Sequence, residues 1–83
     1  MNGRQGLILY SRPGCHLCEV AGSLLMDLGL GYSVVNIEND LRLVRLYGDR
    51  IPVLQRGDDG GATLGWPFTE EQVHAFLGET EEV

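Results

Sequence analysis

Cys15 and Cys18 stand three positions apart and are the only thiols in the chain. A C-x-x-C pair has two chemical uses: it cycles between dithiol and disulfide, or it supplies half of a metal site. Redox work needs one thiol ionised at neutral pH, because the thiolate is the nucleophile. The neighbouring residues supply the means. Leu7–Tyr10 is a continuous apolar run ended by Ser11-Arg12-Pro13-Gly14, and an amphipathic pattern begins directly after it. Cys15 therefore falls at or just before a first helical turn, where unpaired backbone N–H groups and the positive end of the helix dipole favour a thiolate. Cys18, on the same helix face, can return to displace a substrate from a mixed disulfide. The expected division of labour is Cys15 as nucleophile and Cys18 as resolving thiol.

Two neighbours are candidates for support. Arg12 could add positive charge near the Cys15 sulfur; His16 could do the same when protonated, or donate a hydrogen bond. The plain alternative for both is an exposed loop residue. A structural zinc site takes about four ligands. Only His16 and His74 remain as imidazoles, and His16 lies inside the pair, badly placed to join it, so no metal or other cofactor is expected.

The elements that must position the cysteines follow from periodicity. Leu7–Tyr10 reads as a strand buried on both faces. Leu17, Val20, Ala21, Leu24, Leu25 and Leu28 recur at helical spacing, with Gly29 ending the helix and Leu30 able to pack back. Tyr32–Ile37 is rich in β-branched residues and reads as a second strand. Asn39 or Asp40 can cap a short helix from Leu41 to Tyr47, stopped at Gly48. Pro52–Arg56 is a third strand, Gly57–Gly61 a hairpin turn, and Ala62–Trp66 a weaker return strand. Thr69 with Gln72 forms a capping box that opens a last helix through Val73, Phe76 and Leu77. The order β-α-β-α-β-β-α predicts one compact α/β domain over residues 1–83, with the first three strands parallel and the last pair antiparallel.

Composition excludes several classes. The 43% hydrophobic content suits a chain that folds unaided, and the length suits one core. Twelve acidic residues against six arginines give a net charge of −6, which argues against a phosphate-backbone partner. Glu70, Glu71, Glu79, Glu81 and Glu82 gather toward the C-terminus without a neighbouring cation and read as a solvated surface. The apolar run Leu7–Tyr10 is too short for a signal-peptide core or a membrane span. A cytoplasmic monomer, apart from membranes and nucleic acid, is the expectation.

Tyr10-Ser11-Arg12-Pro13-Gly14-Cys15-His16-Leu17-Cys18, followed by Arg50-Ile51-Pro52-Val53-Leu54, resembles the glutaredoxin-like branch of the thioredoxin superfamily, and within it a group of small bacterial glutaredoxin-like proteins. The element order matches from about Leu7 to Leu77. The resemblance implies a thioredoxin fold with a four-stranded mixed sheet flanked by helices, and the cysteine pair at one edge of a shallow groove. It implies a cis peptide bond before Pro52, with Ile51 offering its backbone to an extended substrate. It also implies a thiol–disulfide oxidoreductase or electron carrier. The substrate would be a protein or low-molecular-weight disulfide, and the external thiol reductant glutathione or a thioredoxin-reductase-type enzyme.

The departures from that family are specific. Ordinary members carry Pro-Tyr or a close relative between the cysteines; here the pair is His16-Leu17. Their Gly-Gly turn before the last helix becomes Gly65-Trp66, followed by Pro67, which has no N–H to offer an anion. Thr69 caps that helix, and Glu70 and Glu71 occupy its positive end, so all three count against a glutathione carboxylate there. Trp66 and Phe68 read as completing a small core under the last helix rather than docking a partner. Two rival functions remain: an iron–sulfur or other metal-binding module, and a non-catalytic adaptor that keeps the cysteines by descent.

Overall fold

β1 (Leu7–Ser11) is the strand on which the rest is assembled. It is followed by α1 (His16–Asp27), β2 (Ser33–Asn36), a 3-10 turn at Ile37–Asn39, α2 (Leu41–Tyr47), β3 (Val53–Arg56), β4 (Thr63–Gly65) and α3 (Glu70–Phe76). These assignments come from a computed structural model that describes residues 6–56 and 62–78. The four strands form one mixed sheet in the order β2-β1-β3-β4. The hairpin turn expected at Gly57–Gly61, and Glu79, Glu81 and Glu82, lie outside the described residues.

Alternation along β1 divides the core in two. Leu7 and Leu9 point to one face, where they meet Leu54, Ala21 and Leu25 of α1, Val73 of α3 and Phe68. Tyr10 points to the other face with Val53 and Ile37, against Leu43 and Tyr47 of α2. The continuous apolar run is therefore explained, since both faces of the strand are covered. Each fully buried leucine contributes about 1.5–3 kcal/mol through area removed from water. On the α2 face the Tyr10 and Tyr47 rings stack with centroids 4.7 Å apart. The Tyr10 hydroxyl donates to Gln55 Oε1 at 2.6 Å. Burial, and then the nearby Tyr47, push the Tyr10 phenol above its ordinary value.

One expectation about strand direction is corrected. β1 and β2 are parallel, but β3 runs antiparallel to β1, with Tyr10 opposite Val53 and Leu7 opposite Arg56. The reason is the reach of α2. Seven residues of helix span about 10 Å, close to two strand spacings of about 4.8 Å. That distance carries the chain sideways over β1, from the end of β2 to the start of β3, without returning it along the sheet. The second strand is also shorter than expected. Asn36 Oδ1 accepts the Glu38 N–H at 2.9 Å and turns Ile37 out of the strand into the 3-10 turn.

α1 is rotated relative to the stripe its leucines suggested. Its buried residues are Cys18, Ala21, Gly22 and Leu25, while Leu17 and Val20 are exposed. Leu24, Leu28 and Leu30 pack at the margin of the core, and Leu30 N–H closes on Leu25 O at 3.1 Å. At the far end, the Thr69–Gln72 capping box is complete in both directions. The Arg56 guanidinium donates to the Phe76 carbonyl and stands 5.2 Å from the Phe76 ring centre, tying β3 to α3.

Asp40 begins α2 by accepting the Arg42 N–H at 2.9 Å. That bond first, and the Arg42 charge after it, hold the Asp40 carboxyl below the ordinary carboxylate range. A carboxyl lowered in the fold stabilises it above the unfolded value of about 3.9, and the contribution is lost as pH falls through the lowered value. Asp40→Asn should therefore lower Tm most at neutral pH, the gap to wild type closing toward pH 2 in thermal melts. A gap independent of pH would place the effect elsewhere.

Candidate thiol–disulfide site

The end of β1 leads straight into the site. Pro13 and Gly14 form the turn, with Gly14 at φ +78°, a left-handed conformation that a side chain would strain. Cys15 then adopts an extended conformation, φ −91° and ψ 105°, as the N-cap of α1. Its Sγ accepts the Cys18 backbone N–H at 3.2 Å. Sulfur here takes the place that a serine or aspartate oxygen takes at other helix starts. Cys15 and Cys18 are paired at disulfide distance, with their Cα atoms 5.2 Å apart. Exposure separates the two: Cys15 is half-buried, whereas Cys18 retains only 5% of its surface.

The other expected residues lie around this pair in different ways. His16 is the first residue of α1 and is exposed. Arg12 precedes the turn, but its guanidinium is engaged toward α2, donating to Gly48 O at 2.9 Å and lying 3.9 Å from Glu38 Oε2. Pro52 is fully buried and follows a cis Ile51–Pro52 bond. Tyr10 opposite Val53 sets Pro52 beside Ser11, so this loop stands at the end of the sheet from which the cysteine turn departs. Ile51 is half-buried, and its N–H donates to Tyr47 O at 3.1 Å.

β4 delivers the start of α3 to the same end, since Gly65 pairs with Val53. Trp66 N–H donates to Pro52 O at 3.2 Å, and the Trp66 ring meets Phe68 edge-on at 5.0 Å. Phe68 is buried in the α1–α3 core and Trp66 packs at its margin, as the reading of these aromatics as core expects. Gln72 N–H is taken by Thr69 Oγ1 at 3.2 Å, and Glu70 and Glu71 fill the first turn. An anion arriving there would meet two carboxylates and an occupied donor.

Sequence reasoning missed a cleft of about 390 Å³ on the opposite flank, between α1 and β2. Its walls include both cysteines, Glu19, Gly22, Met26 and Tyr32. Tyr32 donates its hydroxyl to Gly22 O at 3.3 Å, and a Cβ on Gly22 would stand 2.8 Å from Tyr32 Oη. One signal was available: a glycine inside a helix costs up to about 1 kcal/mol relative to alanine, so it often marks a close approach.

The fold, with its paired cysteines at a helix start, is that of a thioredoxin-like domain. The chain matches the Glutaredoxin-like domain (DUF836) over residues 6–78, and it belongs to that family. It is similar to the X-ray structure of protein XcR50 from X. campestris, at 40% identity and TM-score 0.77, covering 87% of this chain and 95% of that one. It is also similar to the solution structure of protein Ne2328 from Nitrosomonas europaea, at 34% identity and TM-score 0.76, covering 87% and 89% respectively. None of the curated proteins matches the chain.

The Gly22–Tyr32 approach is testable as a cycle. Gly22→Ala should bring no gain in wild type, because Tyr32 Oη must move. In a Tyr32→Phe background the same change should stabilise by about 0.5–1 kcal/mol, the ordinary helix gain. Urea denaturation of the four proteins measures the coupling. Additive effects would mean that the hydroxyl does not limit the approach.

Proposed function

We propose that this protein is a thiol–disulfide oxidoreductase or electron carrier cycling between the Cys15–Cys18 disulfide and the dithiol. The observation that carries the reading is the N-cap geometry, with the Cys18 N–H aimed at Cys15 Sγ at 3.2 Å. In the reduced protein that donor and the helix dipole favour a Cys15 thiolate. The thiolate attacks one sulfur of a substrate disulfide, whose other sulfur leaves and takes a proton. Cys18, losing its proton, attacks Cys15 Sγ, breaks the mixed disulfide and releases the second substrate thiol. The dithiol has then given up two electrons, and an external thiol reductant restores it. The buried place of Cys18 and the more open place of Cys15 support the assignment of resolving and attacking thiols.

The substrate is a protein or low-molecular-weight disulfide, with the Ile51 carbonyl beside Pro52 as an edge for an extended chain. His16, exposed at the first position of α1, is a supporting donor beside Cys15. Arg12 acts by holding the turn rather than by charge at the sulfur, since its guanidinium binds Gly48 O. The reductant is glutathione or a thioredoxin-reductase-type enzyme. Thr69, Glu70 and Glu71 argue against a tight glutathione carboxylate site at α3. The working form is a cytoplasmic monomer; among the described residues no helix is long and apolar enough to cross a membrane.

Titration in defined redox buffers, followed by Trp66 fluorescence or mass shift, should give a reversible two-electron transition between roughly −180 and −270 mV. Cys15→Ser should abolish turnover, whereas Cys18→Ser should accumulate mixed disulfides at Cys15. Equal residual activity in the two variants would overturn the division of roles. Alkylation of reduced Cys15 should be half-maximal below the ordinary thiol value of about 8.5. Failure to form the intramolecular disulfide would remove the redox reading.

A further inference from the structure

Resting on that redox reading, we infer that the α1–β2 cleft is a subsite for one arm of a small disulfide, selecting cationic or uncharged arms over carboxylate arms. The cleft is lined by both cysteines on the flank opposite Pro52 and α3. Its volume of about 390 Å³ is in the range of small-ligand sites, which begin at about 300 Å³. Exposed Met26 and Val34 give its mouth an apolar rim, 69% and 62% accessible respectively.

Charge decides which arm it accepts. Glu19, one residue beyond Cys18, is an exposed carboxylate on the wall. Arg12 also borders the cleft, yet its guanidinium is drawn to Gly48 O on α2, across the sheet, with Glu38 beside it. The Tyr32 hydroxyl is donated to Gly22 O, and Ser11 Oγ lies 3.4 Å from Arg12 O. An ammonium-bearing arm next to Cys15 would therefore meet a fixed negative charge, and a carboxylate arm would be repelled by it.

The reaction balances as the reduced dithiol plus R–S–S–R giving the Cys15–Cys18 disulfide plus two R–SH. Three probes of similar size differ in charge: cystamine, 2-hydroxyethyl disulfide and 3,3′-dithiodipropionate. Oxidation of the reduced protein by each, followed by Trp66 fluorescence, gives a rate, and the cystamine-to-dithiodipropionate ratio is compared between variants. Differences in leaving-group chemistry and in Cys15 reactivity cancel in that comparison. Glu19→Gln should lower the ratio about three- to tenfold, the range for one charge about 6 Å away with and without screening by salt. Asp27→Asn, which removes an equal charge from the last turn of α1 outside the cleft, should leave it unchanged. An unchanged ratio in Glu19→Gln, or an equal fall in both variants, would overturn the subsite while leaving the redox function intact. Failure of all three disulfides to oxidise the protein would instead overturn the redox reading, and the subsite with it.

Discussion

The hydrogen bond from Cys18 N–H to Cys15 Sγ is the contact around which this domain is arranged. A helix start leaves backbone donors that need an acceptor, and a sulfur serves that purpose only if the preceding residue turns correctly. Gly14 at φ +78° supplies the turn, and the extended backbone of Cys15 places Sγ over the third amide of the helix. The same contact fixes the rotation of α1. With Cys18 turned inward toward its partner, the residues that follow it onto the core are Ala21, Gly22 and Leu25. Leu17 and Val20 are left outside for that reason, although their side chains are larger and more apolar than those of Ala21 and Gly22.

Sheet topology brings the remaining parts to the same place. β1 and β2 end together, with Ser11 opposite Asn36, and β3 begins there because α2 crosses sideways. The start of α1, the Ile51–Pro52 loop and the segment into α3 then share one end of the sheet. Three parallel strands would have sent the start of β3, and with it Pro52, to the other end. The antiparallel β3 is thus a condition of the site as well as a feature of the fold.

Much of this was legible in the chain because local chemistry specifies it. The C-x-x-C after an apolar run, the Thr69–Gln72 box and the Asp40 cap each depend on residues within a few positions of one another, and all appear in place. Phe68 and Trp66 were legible through size, since a small core uses its aromatics. The direction of β3 was not, because apolar periodicity marks which residues are buried and carries no sign for strand polarity. The rotation of α1 was hidden for a related reason: a broad leucine stripe fixes the face of a helix only to within about one residue step, some 100°. The cleft depends on Gly22 meeting Tyr32, ten residues away on another element, and no local pattern records such a meeting.

Arg12 shows how the two halves of the core are joined at the site. It leaves β1 on the loop that carries Cys15, and its guanidinium binds Gly48 O at the end of α2, on the opposite face of the sheet from α1. A bond to the last carbonyls of a helix satisfies a group with no partner inside that helix, and places a cation at the negative end of the dipole. Arg12 is thereby held at α2, although it precedes Cys15 by only three residues. The charge that the cysteine turn could have used to attract an anion instead holds the turn against α2. Glu19 lines the cleft with the pair, and Glu70 and Glu71 fill the first turn of α3. None of these three carboxylates supplies the positive charge that a carboxylate-binding site uses.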